Sequence, residues 1–373
     1  MDKFSLIARA PVEEIFKPED LKKLLASKIQ LKHYIGFEIS GLIHLGTGLM
    51  AGAVIADLQK AGVQCSIFLA DWHSWINNKL GGDMATIQRV AVGYFKEGMK
   101  ISAKIMGADT SKIKFVLGSQ LYHNNDLYWQ TMIDVAKHMS VGRAKRSITI
   151  MGRKEGEDHD LAKYFYPPMQ VADIFAQGLH IAHAGMDQRK AHVVARDVAL
   201  KISTNPLIVK GKQIKPVTIQ HHLVLGLQKP PMWPVPKDKL QEIWSTMKMS
   251  KSIPDSAVFI HDSEADIRRK MEKAFCPAGE VGFNPVLDWT KHIVFRCRPK
   301  LVIKRPEKFG GNITFNSYSD LTRAYGQNKI HPMDLKNAVA EALVEILKPA
   351  RDHFAKPKYN KMLTELQRLR VTR

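Results

Sequence analysis

Two short segments, about half the chain apart, carry residue types suited to phosphate chemistry. His44-Leu45-Gly46-Thr47 falls in a turn between an apolar strand and a helix, and Lys248-Met249-Ser250-Lys251-Ser252 is a basic loop. Either alone is a weak signal, since an HxG turn is common and a Lys/Ser loop is usually a solvated connection. Together they supply a small imidazole donor at a helix N-terminus and two mobile ammonium groups. That set can hold a triphosphate and stabilise charge developing on it.

Such groups need a scaffold that brings distant segments together. From Lys32 to Ala70 the pattern is strand, turn, helix, strand. Tyr34-Ile35-Gly36-Phe37 is a β-prone run broken by Ser40-Gly41. Met50, Val54 and Leu58 then recur four apart, Gly62 stops the helix, and Val63–Ala70 is a mainly apolar run, as expected of a buried parallel strand. This βαβ unit predicts a nucleotide site beyond the carboxyl ends of its strands. The alternation continues with helices over 84–106, 127–139 and 187–202 and strands over 113–117 and 179–184. The fold class expected is α/β: a doubly wound parallel sheet reaching roughly residue 210, with a helical insertion at about 120–160. Residues 211–247, with Pro230, Pro231, Pro234 and Pro236, read as an irregular insert. Beyond Ser263 the chain turns helical: Ser263 with Asp266, and Ser317 with Asp320, form capping boxes, and Pro332 opens a helix with a Leu335, Val339, Leu343, Ile346 stripe. Two domains are therefore expected, a sheet domain over 1–256 and a smaller α-rich domain over 257–373.

The formal charge of +20 over 373 residues favours a polyanionic partner, with RNA foremost, although general basicity or a solubility device would also produce it. Apolar residues at 45% suffice for real cores. Cys65, Cys276 and Cys297 are isolated, which suggests neither a zinc cluster nor disulfides, and His180 with His183 does not suggest a metal either. The N-terminal residues are charged where a signal peptide would be apolar, and no apolar run approaches membrane-spanning length, so a soluble, cytoplasmic protein is expected.

Further segments sharpen the picture. Tyr34-Ile-Gly-Phe-Glu38, Leu69-Ala-Asp-Trp-His73, Tyr166-Pro-Pro-Met-Gln170-Val-Ala-Asp173, Gly185-Met-Asp-Gln188-Arg-Lys190, Lys304-Arg-Pro-Glu-Lys-Phe-Gly-Gly311 and His331-Pro-Met-Asp-Leu-Lys-Asn337 follow one another along nearly the whole chain. With the His44 and Lys248 segments they resemble, in order, the archaeal and eukaryotic-type tyrosyl-tRNA synthetases of class I. The resemblance implies a Rossmann-like catalytic domain followed by an anticodon-binding domain. It implies formation of tyrosyl-adenylate from tyrosine and Mg²⁺-ATP, transfer to the terminal adenosine of tRNA(Tyr), a homodimer joined near the 120–160 insertion, and no structural metal.

The residue chemistry agrees with these roles. A phenol at the end of a pocket needs a buried donor and acceptor, which Tyr34 and Asp173 can supply; taken singly, each would pass for a core tyrosine and a solvated acid. Tyr166, Gln170 and Gln188 can hold the α-ammonium and carboxylate, Gln170 and Asp173 sharing a helix face. For ATP, the resemblance points to Gly36, His44 and Gly46, to Gly185 and Asp187 at the ribose, and to Lys248 and Lys251 on the pyrophosphate. Thr47 departs from the commoner second histidine of the turn; it can donate a hydrogen bond but carries no charge. His73 could line the pocket or be structural. For RNA, Phe309 would stack on an anticodon base, His331 and Asp334 would bond its edges, and Arg189 and Lys190 would meet the acceptor end. Arg143, Lys145 and Arg146 could touch RNA or be solvated, and the basic tail carries Lys356, Lys358, Lys361, Arg368, Arg370 and Arg373. A tryptophan-specific relative is disfavoured because indole offers one donor and no phenol. A non-catalytic RNA-binding paralogue, suggested by Thr47, is disfavoured by the intact lysine loop.

Overall fold

The computed structural model describes residues 1–152, 159–251 and 253–369. Ser252, Arg370, Arg373 and residues 153–158 of the expected insertion lie outside them. The strands are β1 (Val12–Phe16), β2 (Lys32–Glu38), β3 (Gln64–Ala70), β4 (Ile113–Leu117), β5 (Ile181–Gly185), β6 (Ile208–Val209), β7 (Lys212–Gln213), β8 (Val217–His221), β9 (Leu301–Ile303) and β10 (Ile313–Phe315). Six of them form the main sheet in the order β1-β8-β5-β2-β3-β4, parallel throughout except for β1, which runs antiparallel to β8. The chain winds outward from β2 in both directions, so the order reverses between β2 and β5, and the crevice at their carboxyl ends is where a ligand binds in such folds.

The βαβ unit forms as its pattern requires. The helix Leu45–Lys60 is buried on nearly all sides rather than on one stripe, because sheet and C-terminal helices sandwich it. Gly52 lets it lie against the helix Lys96–Ile105: a Cβ there would stand 2.9 Å from the Ala103 Cα. The expected single helix over 84–106 is split into Met84–Val90 and Lys96–Ile105 by a wide turn in which Gly93 leaves helical geometry (φ −90°, ψ −109°).

The sheet extends past residue 210, which corrects the reading of 211–247 as irregular. Val217–His221 is a fully buried parallel strand between β5 and β1. Its Thr218, Gln220 and His221 hide it from an apolar-run criterion, since these polar side chains are buried beside polar partners: Gln220 Nε2 lies 2.8 Å from His192 Nδ1. The proline-rich stretch that follows is irregular until the short helix Leu240–Thr246. The edge strand β1, which carries Glu13 and Glu14, was not expected at all.

C-terminal to Ser263, both capping boxes form, each serine accepting the N–H three residues on (3.1 Å in both), and Leu335, Val339, Leu343 and Ile346 are buried on the helix Pro332–Phe354. That helix joins the same continuous core as the sheet's helices. Arg9 and Arg296 both pair with the buried Asp57, tying the N-terminus and the C-terminal helices to the helix Leu45–Lys60. Residues 257–260 run beside the His44 turn, Leu45 N–H donating to Val258 O and Ile260 N–H to Ile43 O, each at 3.0 Å. Among the described residues no helix is long and apolar enough to cross a membrane.

Candidate active site

A cavity of about 250 Å³ opens at the β2/β5 crevice. Tyr34, Gly36, His44, Gly46, Tyr166, Gln170, Asp173, Gly185, Asp187, Gln188, Lys248 and Lys251 all line it, so every residue assigned to tyrosine or ATP by the sequence converges on one site.

The end expected to hold phosphate is built on the helix Leu45–Lys60. His44 is its N-cap, and His44 Nδ1 accepts the Thr47 N–H (3.2 Å). Burial, then Lys251 and Lys248, push the imidazole pKa down to about 3. It is therefore neutral, its one proton resides on Nε2, and that nitrogen lies 3.1 Å from the Thr47 hydroxyl. Thr47 thus occupies the His44 donor and keeps its own hydroxyl hydrogen to offer elsewhere. A Cβ on Gly46 would come within 3.3 Å of the His44 ring; Gly36 would meet only ordinary contacts at 3.5 Å, so its smallness is not sterically demanded by the protein itself.

The lysine loop lies against the same end. Lys248 pairs with Asp187, and Lys251 Nζ donates to Ser40 Oγ (2.8 Å). Burial, with Lys79 adding to it, pushes the Lys251 pKa down to about 8. The base of the loop is fastened by backbone bonds, Gly226 N–H to Met247 O (2.6 Å) and Met249 N–H to Val224 O (3.1 Å). Beneath it, Leu225 N–H donates to Asp288 Oδ2 (2.9 Å) and Trp289 Nε1–H to Leu225 O (2.7 Å). His222 bridges Glu13 (3.1 Å) and Asp288 (2.8 Å); burial opposes its charge, but those two bonds win and lift its pKa to about 9. His222, Asp288 and His292 form the one group of three potential metal ligands among the described residues. The two rings are stacked, 4.1 Å apart and tilted by 13°, so their planes run nearly parallel. Neither Asp288 nor His222 was legible in the sequence as support for the loop.

At the other end, Asp173 is 1% exposed. Its Oδ1 accepts from Tyr122 (3.0 Å) and Tyr128 (3.1 Å), and its Oδ2 lies 3.6 Å from His73 Nε2. Burial drives the Asp173 pKa up to about 8, against the two phenols that hold it down. Tyr34, buried, is raised by desolvation and then by Asp173. His73 packs edge-on against Tyr166 with ring centroids 4.6 Å apart. Between the two ends, Gln170 Nε2 bonds Gln188 Oε1 (3.3 Å) and leaves Gln170 Oε1 buried without a partner, an acceptor ready for an ammonium group. Glu38, held by Asn77 (2.8 Å) and Lys79 (3.4 Å), also lines this part. Tyr122, Tyr128 and Glu38 were missed as site residues because nothing in their local spacing marks them.

The residues assigned to RNA lie elsewhere. Phe309 is 61% exposed, with the Lys308 ammonium 5.1 Å from its ring centre. His331 caps the helix Pro332–Phe354 through its Nδ1 (3.2 Å from Met333 N), and Asp334 sits in that helix's first turn. Arg305 joins the two segments, bonding Gly311 O and Lys329 O at 3.0 Å each. Arg189 is held by Glu14 (2.6 Å) and Lys190 by Thr149 (3.0 Å), so both are tied back onto the protein.

The family described as tRNA synthetases class I (W and Y) matches residues 27–348. The tyrosine–tRNA ligase of Thermococcus sibiricus is 59% identical over 356 residues, covering 95% of each chain, and that of Thermococcus gammatolerans is 57% identical across 100% of this chain and 99% of its own. Among solved structures, tyrosyl-tRNA synthetase from Pyrococcus horikoshii, complexed with L-tyrosine, superposes with a TM-score of 0.95 at 54% identity over 98% of this chain and 100% of that one. With a fold that superposes over 98% of the chain and relatives along its full length, the chain belongs to the class I tRNA synthetases of the tryptophan and tyrosine family.

Proposed function

We propose that the chain activates tyrosine with Mg²⁺-ATP and loads it onto the terminal adenosine of tRNA(Tyr). The carrying observation is the far end of the cavity, where the buried carboxyl of Asp173, fixed by Tyr122 and Tyr128, faces the same space as Tyr34. A phenol satisfies both groups; a phenylalanine ring leaves them desolvated and unpaired, and indole has a single N–H and no acceptor. Tyr166, Gln170 and Gln188 take the amino-acid head, and Gly185 and Asp187 the ribose. The tyrosine carboxylate attacks the α-phosphorus, the α–β bridging bond breaks, and the electron pair leaves on pyrophosphate. Lys248 and Lys251 donate to that departing charge, and His44 acts through the Thr47 hydroxyl that its Nε2–H orients, so that positioning and electrostatics carry the rate. A ribose hydroxyl of the tRNA then attacks the acyl carbon and releases AMP.

ATP–pyrophosphate exchange run separately with tyrosine, phenylalanine and tryptophan tests this reading: exchange with tyrosine alone is expected. Exchange with tryptophan would overturn the specificity, and no exchange with any of them, with or without tRNA, would favour a non-catalytic RNA-binding protein.

The anticodon-binding role of 257–373 is supported by the exposure of Phe309 and by the Arg305 bonds that link its loop to the turn before His331 and Asp334. Arg189 and Lys190 would meet the acceptor end after exchanging their present partners for phosphate. Replacing Phe309 with alanine is expected to raise the KM for tRNA in aminoacylation about tenfold, the cost of one lost base stack. A homodimer is supported by Leu127, Ile133, Val141, Leu161 and Phe165, large apolar side chains exposed along the insertion and the helix after it. The cytoplasm, where tRNA is charged, is the compartment that fits.

A further inference from the structure

Three histidines on three neighbouring strands step diagonally across one face of the sheet. In the strand registers, His33 of β2 pairs with Ile181, His183 of β5 pairs with Ile35 and Ile219, and His221 of β8 pairs with Gly185. Each step moves two residues toward the carboxyl ends, so the row runs from the closed end of the sheet to the cavity. His33 Nε2 lies 3.2 Å from His183 Nδ1, and His183 Nε2 lies 2.8 Å from His221 Nδ1. The rings are 1%, 1% and 6% exposed. Nothing in the chemistry of adenylate formation calls for this row, and no local sequence pattern marks it.

Burial lowers all three imidazole pKa values, those of His33 and His221 to about 3 and about 4, so each ring is neutral near pH 7. A neutral imidazole has one N–H and one lone pair. His183, bonded on both sides, must donate through one nitrogen and accept through the other, which leaves two arrangements for the whole row. In one, every ring carries its proton on Nδ1 and the buried His33 Nδ1–H has no acceptor. In the other, every ring carries its proton on Nε2, and His33 leaves only a lone pair unmatched. His33 Nδ1 is buried without a hydrogen-bond partner, and an orphaned buried N–H is the rarer of the two defects. The second arrangement therefore prevails, and it ends with His221 Nε2 presenting an N–H toward the cavity. That nitrogen stands 3.5 Å from where a Cβ on Gly185 would lie, and Asp187 is close enough to act on the same ring.

We propose that His221 donates a hydrogen bond from Nε2 to a ribose hydroxyl oxygen of ATP, with His183 and His33 as positioning residues that fix its tautomer. The inference rests on the assignment of Gly185 and Asp187 to the ribose. Asp187 accepts from a hydroxyl while His221 donates to one, so the pair reads both halves of a diol edge.

The test joins a direct and a kinetic measurement on the full-length protein. Nitrogen-15 spectra of histidine-labelled protein at neutral pH should show all three rings as the Nε2–H tautomer; His221 found protonated on Nδ1 would overturn the proposal. In tyrosine-dependent exchange, His221→Phe should raise the KM for ATP about five- to tenfold, the worth of one hydrogen bond, with the KM for tyrosine unmoved. His221→Gln, whose amide can donate, should bring the ATP KM back toward the parent value. The His221→Phe penalty should vanish when 2′-deoxy-ATP or 3′-deoxy-ATP, whichever lacks the accepting oxygen, replaces ATP. A penalty that persists with both analogues, or an ATP KM unchanged in His221→Phe, refutes the role. Loss of exchange in the parent protein would instead refute the functional assignment, and the spectra would still report the tautomers.

Discussion

Replacing Lys251 with alanine is expected to slow tyrosine-dependent ATP–pyrophosphate exchange by about 10²–10³-fold, the usual cost of removing one preorganised donor to developing charge. The KM for tyrosine should change little, because Lys251, bonded to Ser40, lies at the end of the cavity proposed for phosphate and not at the end proposed for the phenol. The pH dependence has a definite sign. Lys251 acts as an ammonium group, and its pKa is lowered to about 8, chiefly by burial. As pH rises through 8 the free enzyme loses this charge, so kcat/KM for ATP should fall there rather than near the ordinary lysine range, since that ratio reports the free enzyme's groups. The kcat profile should fall at higher pH, because bound phosphates favour the charged form. A kcat/KM profile flat to pH 9.5, or a Lys251→Ala enzyme within threefold of the parent, would remove Lys251 from the chemistry.

The second large effect concerns Asp173. Asp173→Asn keeps the size of the side chain but replaces a charge-capable acceptor with an amide, in a site where Tyr122 and Tyr128 already direct hydroxyls at it. Leaving a buried hydroxyl without its proper partner costs about 1–3 kcal/mol, so kcat/KM for tyrosine should drop roughly 5- to 100-fold. The same parameter for phenylalanine should change by less than threefold, since phenylalanine never made the bond. Discrimination between the two therefore collapses by the tyrosine factor alone. Equal losses for both amino acids would mean that the substitution deforms the pocket and that Asp173 does not read the hydroxyl.

How much of this was legible beforehand depends on whether a residue's role is set by its neighbours in sequence or across strands. His44, Gly46, Lys248 and Lys251 stood out because a turn and a loop are local objects, and the cavity gathers all four. The capping serines and the stripe on the helix Pro332–Phe354 were readable for the same reason. By contrast, Tyr122 and Tyr128 act on Asp173 from about fifty residues away, and Asp288 supports the lysine loop from a distant helix. No local pattern announces such partners. The strand Val217–His221 was missed because its burial is sustained by polar side chains that find each other across the sheet, and apolar continuity cannot detect that. The histidine row is invisible in sequence for the most geometric of these reasons. Its members are far apart along the chain and meet only through strand register.

The shared core has a consequence for how the protein can fail. Residues 257–260 hydrogen-bond the turn that holds His44, and the helix Pro332–Phe354 covers the same apolar mass as the sheet's own helices. A chain interrupted after residue 256 would lose Arg296 from the buried Asp57 and uncover that mass to water. An unfinished or clipped product is therefore expected to be an aggregation-prone remnant rather than a smaller enzyme able to make adenylate, which the solubility of residues 1–256 expressed alone would check. Heat meets the same constraint: because the core is shared, loss of exchange activity and melting of the C-terminal helices are expected at one temperature, and exchange that outlasts the loss of those helices would show that the halves unfold separately.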